Sequence, residues 1–285
     1  MAFDPRQAEL ATATRADLDW MLDWAAAEGW NPGIDDADPF FAADPQGFFV
    51  ARVGGTPAAS MALVHYSEAF GFIGLYITAP DWRGCGLGRR LWDHALASHG
   101  ARTIGLDALP DMVSRYAAAG FTPAHRTVTM AGFPYVEPPR DPRLTIAGRG
   151  LFPSLRDYDG RCFPAPRAPF LSRWLEPGGS RRAFALVDAG RVCGFGAIRQ
   201  CRDGFKIGPL FADTTADAEV LLRALVSQLR GQEVFLKVPE HNVEAMRLAE
   251  DFDLSPLLEA TRMFHGPAPE GPSHRVFGLT TLDLG

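Results

Sequence analysis

The stretch Phe72–Leu96, FIGLYITAPDWRGCGLGRRLWDHAL, decides the fold of this chain. Its first residues, Phe72–Ile77, are apolar and rich in β-branched and aromatic side chains, which predicts a buried strand. Three glycines in five positions follow, Gly84, Gly86 and Gly88, and apolar residues then recur at helical spacing. The predicted order is strand, glycine-rich turn, helix. Because the first-turn amides of such a helix point at an open site, the turn favours an anion.

The spacing of the glycines narrows the choice of anion. A dinucleotide fingerprint needs a glycine where Arg89 stands, and a P-loop needs Lys-Ser or Lys-Thr after its glycines, which is absent here. The observed pattern is Arg83-x-x-Gly86-x-Gly88. It resembles the pyrophosphate-binding loop of the GCN5-related N-acetyltransferases (GNAT), which bind acetyl-CoA. Several arginines beside this loop, in a chain of formal net charge −6, suit a polyanionic ligand.

The resemblance implies where acetyl-CoA is held. The loop would bind the pyrophosphate, and a backbone amide near the end of the central strand would stabilise the oxyanion of the reaction. The residues that the resemblance assigns to the cofactor are Ile77, Ala79, Arg83, Gly84, Cys85, Gly86, Leu87, Gly88 and Arg89. The plain alternative is a glycine turn between a strand and a helix that binds nothing.

The composition excludes other classes of protein. The 285 residues suffice for one or two domains with a real core. The acidic net charge argues against nucleic acid as the main partner, and no apolar run is long enough to span a bilayer. Because the N-terminus shows no signal pattern, we expect a cytoplasmic protein. The expected assembly is a monomer or a homodimer. The four cysteines and seven histidines show no metal-binding spacing, so we expect no metal.

One supersecondary plan occurs twice in the chain, at an offset of about 130 residues, which indicates a tandem duplication. A proline-rich segment at 137–143 is the expected linker between domains at 1–136 and 144–285. The resemblance implies an α/β fold in which each GNAT-like domain is a mixed, mainly antiparallel sheet flanked by helices. The paired segments are the turns Gly54-Gly55 and Ala189-Gly190, the strands Phe72–Ile77 and Phe205–Phe211, the helices Gly88–His99 and Ala218–Leu229, and the strands Thr103–Ala108 and Glu233–Val238.

The second copy lacks the features that would bind CoA. At 212–219 it has no glycine, and acidic residues stand where phosphates would lie. Ala249 stands at the position that corresponds to Tyr116 of the first copy. The resemblance is to two-domain bacterial GNAT proteins in which a degenerate domain follows an active one. We therefore expect the second domain to complete the acceptor site without binding acetyl-CoA.

Acyl transfer to an amine needs a base, an oxyanion donor and an acid for the departing thiolate. Tyr116 lies four residues before Gly120-Phe121, as does the tyrosine that protonates the CoA sulfur in GNAT enzymes. A phenol of pKa ~10 is a reasonable donor to a thiolate whose acid has a pKa of ~8.5. The family's usual asparagine seven residues earlier is replaced by Leu109. The alternative for Tyr116 is an aromatic anchor for a short helix.

Asp107 lies next to the point where the two central strands of this fold part. It is expected to act as the base through a water molecule or to orient the substrate ammonium, and its alternative is a strand-end acid that caps a turn. Glu68 is a second candidate for the base. Trp30, Asn31 and Asp35 are expected near the acceptor amine, because an aromatic wall, an amide and a carboxylate suit a cation. Their alternative is a helix end followed by a capped helix.

The resemblance to GNAT enzymes implies an acyltransferase. The expected reaction is direct transfer of the acetyl group from acetyl-CoA to the primary amine of a small molecule, such as an amino acid, amino sugar or polyamine, in a ternary complex. Alternatives are another acyl-CoA, a protein lysine as acceptor, or a non-catalytic acyl-CoA sensor.

Overall fold

A computed structural model of the chain describes residues 4–97, 100, 103–176, 178–229, 231–271 and 273–285. Within these residues the strands are β1 (Glu9–Thr12), β2 (Phe48–Val53), β3 (Thr56–Ser67), β4 (Phe70–Thr78), β5 (Thr103–Ala108), β6 (Thr122–Gly132), β7 (Leu144–Ile146), β8 (Arg181–Asp188), β9 (Arg191–Gln200), β10 (Phe205–Ala212), β11 (Val234–Pro239), β12 (Leu254–His265) and β13 (Val276–Gly278). The helices are α1 (Asp17–Ala27), α2 (Ala37–Ala43), α3 (Leu87–Ala97), α4 (Val113–Ala118), α5 (Phe152–Asp159), α6 (Ala168–Trp174), α7 (Thr215–Val226) and α8 (Val243–Asp251).

The strand and helix predicted from the glycine-rich stretch are both confirmed. The predicted strand lies within β4, and the three residues at helical spacing, Leu87, Leu91 and Ala95, are fully buried on α3. The last two residues of the helix predicted to end at His99 lie outside the described residues. Helix α7 begins at Thr215, earlier than expected, because the Thr214 hydroxyl accepts a hydrogen bond from the Asp217 amide (3.1 Å) and caps the helix there.

The two halves of the chain form one mixed, mostly antiparallel sheet. Its order is β1-β2-β3-β4-β5-β12-β6-β11-β10-β9-β8-β7, with β13 paired to β10. The pairs β4–β5 and β10–β11 are parallel, and the other pairs are antiparallel. The mixed sheet with flanking helices was predicted correctly, whereas the continuity of the sheet across both halves was not.

The halves exchange their last long strands. Strand β6, at the end of the first half, pairs with β11 and β12 of the second half. Strand β12 in turn pairs with β5 of the first half. Because one sheet runs through both halves, the strand pairing does not mark a boundary between domains. The expected boundaries at 136 and 144 therefore stay a prediction.

The parallel pair at the centre of each half opens in the same way. In the first half, β4 and β5 are paired from Phe70 and Thr103 to Ile73 and Leu106, and then diverge. Leu75 has a positive φ (47°) at an irregularity of register beyond this point. In the second half the pairing of β10 with β11 ends at Ile207 and Leu236. The duplication is therefore visible in the structure as two equivalent gaps.

The gap in the second half is filled by the chain itself. Strand β13 pairs with β10 beyond the point of divergence. The Leu279 amide then donates a hydrogen bond to the Lys237 carbonyl oxygen of β11 (2.8 Å). A Cβ atom on Gly208 would lie 2.4 Å from the Leu279 carbonyl oxygen, so the glycine permits this close approach.

A buried ionic cluster joins the two halves. Asp36, just before α2, is fully buried and accepts hydrogen bonds from Arg181 (2.6 Å) and Arg199 (3.2 Å) of the second half. Both guanidinium groups lie over the Trp174 ring, 4.7 and 4.6 Å from its centroid. Burial alone would raise the pKa of Asp36, but Arg199 and Arg181 outweigh it and hold the pKa below its ordinary value.

We expect Asp36→Asn to lower the free energy of unfolding by about 3–5 kcal/mol at neutral pH, because two buried guanidinium groups lose their counter-charge. A lowered pKa stabilises the fold above the unfolded value of ~3.9, so the difference from wild type should shrink as the pH falls below that value. Denaturant unfolding at several pH values measures both effects.

Asp38→Asn is the matched control. The Asp38 side chain is exposed and pairs with the half-exposed Arg15, so its loss should change the free energy of unfolding by less than about 1 kcal/mol. If both substitutions lowered the free energy of unfolding equally, the buried cluster would not be a special source of stability.

Candidate active site

The glycine-rich turn has a geometry that only glycine tolerates well. Gly84 and Gly86 have positive φ values of 77° and 86°. Gly88 lies in the first turn of α3, where a Cβ atom would be 2.6 Å from the Thr78 hydroxyl and 3.0 Å from that of Tyr76. These glycines therefore bring the first turn of α3 against the end of β4.

The turn presents a row of open backbone amides. Among the described residues, none accepts a hydrogen bond from the amides of residues 84–89. The first protein-bound amide after them belongs to Arg90, which donates to the Gly86 carbonyl oxygen (3.1 Å). Consecutive open amides at a helix N-terminus bind phosphate oxygens, so the residues present fit the pyrophosphate of CoA.

The arginines beside the turn are held by weak surface contacts. Arg83 forms an ion pair with Glu28 and donates to the Thr78 carbonyl oxygen (2.9 Å), and Arg89 pairs with Asp93 (2.8 Å). Because exposed pairs of this kind contribute little, a phosphate could displace them at small cost. The thiol of Cys85, which the resemblance assigns to the cofactor, donates a hydrogen bond to the Trp82 carbonyl oxygen (3.0 Å).

The strand end next to the turn was expected to supply the oxyanion donor. The Ala79 amide donates to the Ala58 carbonyl oxygen (3.0 Å), so this amide is occupied. Ile77 lies beyond the last paired residue of β4 and β5, on the part of β4 that borders the gap. That its amide binds the oxyanion stays a prediction.

Tyr116 is packed against α3, the helix that follows the glycine-rich turn. Its ring stacks on Trp92 at 5.7 Å between centroids and meets Phe121 edge-on at 6.1 Å. Burial, followed by the neighbouring Tyr76 hydroxyl, raises the pKa of Tyr116 to about 12, so its hydroxyl stays protonated at neutral pH. The Tyr116 ring thus packs α4 against α3, and its hydroxyl is protonated and available as a proton donor. Tyr76 was missed by the sequence analysis, where it was only an aromatic residue of the predicted strand.

Asp107 is held in a buried ion pair that the second half supplies. Its side chain is 1% exposed, and each carboxylate oxygen accepts from the Arg262 guanidinium of β12 at 2.7 Å. To accept a proton or bind an ammonium, Asp107 would have to release Arg262. Its catalytic role stays a prediction.

The other acidic candidate for the base is wrong. Glu68 is exposed in the turn before β4, at the end of the strand where β4 and β5 are paired. The gap lies at the opposite end of β4, roughly 25 Å away at ~3.3 Å per residue. Glu68 therefore cannot reach a thioester in the gap.

The early loop that was expected near the acceptor contacts the second half. The Asn31 side chain exchanges hydrogen bonds with the backbone of Asp203 (2.7 and 3.0 Å). The Trp30 carbonyl oxygen accepts from Lys206 (2.6 Å), and the Asp35 carboxylate accepts from the Ser180 amide (3.1 Å). These bonds hold the halves together, and binding of the acceptor amine by the same residues stays a prediction.

A cavity of about 350 Å³ lies between the halves, near Asp107. In β5, Ile104 and Leu106 pack towards α3, so alternation places Gly105 and Asp107 on the opposite face. On that face Arg262 lies over the Phe72 ring (4.7 Å from its centroid) and borders the cavity. The sequence analysis missed this cavity, because most of its lining comes from segments more than a hundred residues away from β5. Its lining includes His125, Phe163, Phe211, His241, Arg262 and Phe264.

Comparisons with known proteins identify the family. A family model described as "Acetyltransferase (GNAT) family" matches residues 15–121, and one described as "Acetyltransferase (GNAT) domain" matches residues 155–278. The chain therefore belongs to the GNAT family and carries one such domain in each half, as an acyltransferase with tandem domains. None of its described helices is long and apolar enough to cross a membrane.

Individual relatives agree with this assignment. The chain is 29% identical over 280 residues to a protein named holothin acyltransferase from Pseudoalteromonas sp. (strain SANK 73390), covering 96% of this chain and 94% of the relative. A crystal structure of a candidate acetyltransferase from Pyrococcus horikoshii superimposes with a TM-score of 0.80 at 22% identity, covering 98% and 96% of the two chains. A tandem GNAT protein from the clavulanic acid biosynthesis pathway has a TM-score of 0.63 at 15% identity, with coverages of 92% and 99%. The two structures share the fold.

We expect Asp107 and Arg262 to act as one unit. Asp107→Asn and Arg262→Gln should each lower the free energy of unfolding by about 3–5 kcal/mol, because each leaves a buried charge unpaired. The double variant should lose less than the sum of the two, since both substitutions remove the same contact. Denaturant unfolding of the four proteins measures the coupling, and release of CoA thiol measures acyl transfer in each.

Arg126→Gln is the control for this cycle, because Arg126 forms exposed pairs with Glu240 and Glu259 and should contribute less than about 1 kcal/mol. Additive losses for Asp107 and Arg262 would contradict the shared unit. Loss of transfer in Asp107→Asn alone would instead assign the base to Asp107.

Proposed function

We propose that this protein is an N-acetyltransferase that moves the acetyl group of acetyl-CoA to the amine of a small molecule, in a ternary complex. One observation carries the proposal: the amides of residues 84–89, which donate no hydrogen bond within the described part of the chain, lie beside the end of β4 where β4 and β5 diverge, and a cavity lined in part by Arg262, the ion-pair partner of Asp107, lies on the opposite face of the sheet. A polyanionic donor on one side and an acceptor on the other would meet at the gap.

The donor would be held by the backbone more than by side chains. The amides of residues 84–89 would bind the pyrophosphate, with Arg83 and Arg89 exchanging their surface partners for phosphate oxygens. The thioester would then extend to the point where β4 and β5 diverge. A backbone site of this kind explains why the sequence needs glycines here, since side chains would cover the amides.

The bonds and protons of the proposed acyl transfer balance with the amine, the thioester and the Tyr116 phenol. The amine nitrogen attacks the thioester carbonyl carbon, the carbon–sulfur bond breaks, and an amide and a CoA thiolate result. The Tyr116 phenol would donate a hydrogen bond and then its proton to the departing sulfur. The proton lost by the attacking nitrogen would restore the phenol, so the products are the amide and free CoA.

The second half would contribute the acceptor site and no second donor site. Its gap is occupied by β13, and its helix α7 is capped by its own Thr214 side chain. The Asp213 carboxylate beside that helix accepts a hydrogen bond from Tyr158 (2.9 Å). Negative charge at this helix start disfavours phosphate, so the proposal requires one acetyl-CoA per chain.

The relative named for holothin supports a small molecule as the acceptor. Because that relative is named an acyltransferase, a donor with a longer acyl chain is the second candidate for this protein. A series of acyl-CoA thioesters of increasing length, compared by kcat/KM, distinguishes the two donors.

We expect Gly86→Asp to weaken acetyl-CoA binding by at least ~100-fold, because a carboxylate would enter the anion site and an L-residue is strained at this φ. Calorimetric titration gives the affinity and the stoichiometry, which should be one site per wild-type chain. Gly190→Asp is the matched control, since Gly190 has a φ of 79° in the turn between β8 and β9, remote from the glycine-rich turn. Equal binding by both variants, or two sites per chain, would contradict the proposed donor site.

We expect Tyr116→Phe to lower kcat by ~10²-fold or more, because the thiolate would leave without its acid. The affinity for acetyl-CoA should stay within ~3-fold of wild type, since the phenyl ring keeps the packing on Trp92. Tyr135→Phe, which changes an exposed tyrosine, is the control and should match wild type in both measurements. An unchanged kcat in Tyr116→Phe would remove the acid role.

A further inference from the structure

We propose that residues 281–285, here called the closing segment, are a gate between the cavity and the gap, and that Tyr66 is the positioning residue that holds the gate shut. The proposal rests on the proposed function, because it concerns how an acceptor reaches acetyl-CoA bound at the gap. In the structure the closing segment covers the acceptor face of the gap. When it opens, the cavity and the gap become one continuous space.

The closing segment lies over the start of the first half's gap, on the face opposite α3. Ile73 packs towards α3, so alternation along β4 places Phe72 and Gly74 on the opposite face. A Cβ atom on Gly74 would overlap the Asp283 carbonyl oxygen, so the glycine permits this approach. Gly74 directly follows Ile73, the last residue of β4 that pairs with β5. A donor on the α3 face would therefore have Asp283 on the other side of the gap.

The same segment forms part of the wall of the cavity. Gly285 lines the cavity, as does Thr280 just before the segment. A Cβ atom on Gly285 would lie 3.1 Å from the Phe72 ring and 3.2 Å from the Phe163 ring, so the glycine fits between them. Thr280 and Gly285 thus lie at the cavity while Asp283 lies at the gap. The closing segment separates the two spaces.

The residues that precede the closing segment are firmly anchored in the second half. The Leu279 amide donates a hydrogen bond to the Lys237 carbonyl oxygen (2.8 Å). The Thr280 hydroxyl accepts a hydrogen bond from Arg167 (2.9 Å), which is buried in an ion pair with Asp159. Leu279 and Thr280 therefore form a fixed base about which the closing segment can turn.

The closing segment itself has few polar contacts with the rest of the protein. Among the described residues, one hydrogen bond joins it to another element, and in this bond the Tyr66 hydroxyl donates to the Leu284 carbonyl oxygen (2.8 Å). The Leu284 amide donates within the segment, to the Thr281 hydroxyl (2.9 Å). The ladder that holds β13 ends at Gly278, before the segment begins. No strand pairing has to break when the segment opens.

Two further contributions favour the closed arrangement. The Leu284 side chain is 1% exposed and belongs to the core between the halves. Burial lowers the pKa of Lys237, and the Asp283 carboxylate opposes this effect, so these two groups attract each other. Opening therefore costs the Tyr66 hydrogen bond, this attraction and the burial of Leu284, and it leaves the sheet intact.

Tyr66 is well placed to control the closing segment. Its ring stacks on Phe70 at 6.2 Å between centroids and meets Phe163 edge-on at 5.0 Å. Burial raises the pKa of its hydroxyl, so the group stays protonated and remains a hydrogen-bond donor. Replacing Tyr66 by phenylalanine would keep the ring packing and remove only the bond to Leu284.

Release of CoA thiol from acetyl-CoA in an amine-free buffer tests the gate. Water is then the acceptor: its oxygen attacks the thioester carbonyl carbon, the carbon–sulfur bond breaks, and acetate and CoA thiol result. A closed gate keeps water from the thioester. Because Tyr66→Phe removes a hydrogen bond from the closed arrangement alone, it should raise the open fraction, and with it thiol release, by ~3-fold or more. The affinity for acetyl-CoA should stay within ~2-fold of wild type, as calorimetry measures.

Tyr158→Phe is the matched control. Tyr158 is also a buried tyrosine whose hydroxyl contacts a backbone carbonyl oxygen, that of Cys193 (3.0 Å), outside the closing segment. This variant loses a hydrogen bond of the same kind, so it should be less stable while its thiol release matches wild type. Unchanged or lower thiol release in Tyr66→Phe, or an equal rise in both variants, overturns the gate.

Hydrogen exchange in the wild-type protein tests whether the closing segment opens by itself. Opening frees the Leu284 amide, whereas the Val128 amide lies in β6 between two paired strands. After correction for intrinsic rates, we expect the Leu284 amide to exchange at least ~100-fold faster than that of Val128. Equal rates would mean that the segment opens only when the whole protein unfolds, and would overturn the gate.

The outcomes also separate the gate from the proposed function. Absence of acetyl-CoA binding in wild type would remove the proposed function and the gate with it, since no donor would occupy the gap. If acetyl-CoA binds and Tyr66→Phe does not raise thiol release, the gate alone is overturned and the donor site stands. A rise confined to Tyr66→Phe, together with local exchange at Leu284, supports the gate.

Discussion

The exchange of strands between the halves is the constraint on which the rest of the structure depends. Because β12 pairs with β5 and β6 pairs with β11, backbone hydrogen bonds fix the second half against the divergence of β4 from β5. This register places Arg262 opposite Asp107 and His125 at the same level of the sheet. The acceptor side of the candidate site is therefore built by strand pairing, and neither half could form it alone.

The two halves show how one supersecondary plan supports different uses. In each half a parallel pair of strands opens into a gap. In the first half, the gap is flanked by a glycine-rich turn whose amides donate no hydrogen bond to the described residues, and the Asp283 backbone lies against Gly74 of β4; in the second half, β13 pairs with β10 inside the gap. A filled gap has no room for a thioester but satisfies the hydrogen bonds of strands that would otherwise be unpaired. In the second half, a strand of the chain itself thus occupies the place that the proposed donor would take in the first half.

Buried charge is concentrated where the halves meet. Asp36 is shared by Arg181 and Arg199, and Asp107 is shared with Arg262. Lys206 lies beside this cluster, and burial, aided by Lys237, lowers its pKa to about 7 while the Trp30 carbonyl oxygen accepts its hydrogen bond. Charges buried in this way stabilise an interface only when every partner is in place, so they favour one relative arrangement of the halves.

The sequence by itself determined what depends on local spacing. Glycine positions predicted the turn and α3, and the repeated pattern predicted two related halves, because each is set by residues close in the chain. What depends on pairing between distant strands was decided by the tertiary structure. Nothing near Asp107 in the sequence indicates that Arg262 binds it, and nothing near Asp35 indicates that its neighbour Asp36 binds two arginines of the other half. The exchange of strands between the halves creates those contacts and the cavity. No local sequence pattern predicts this exchange.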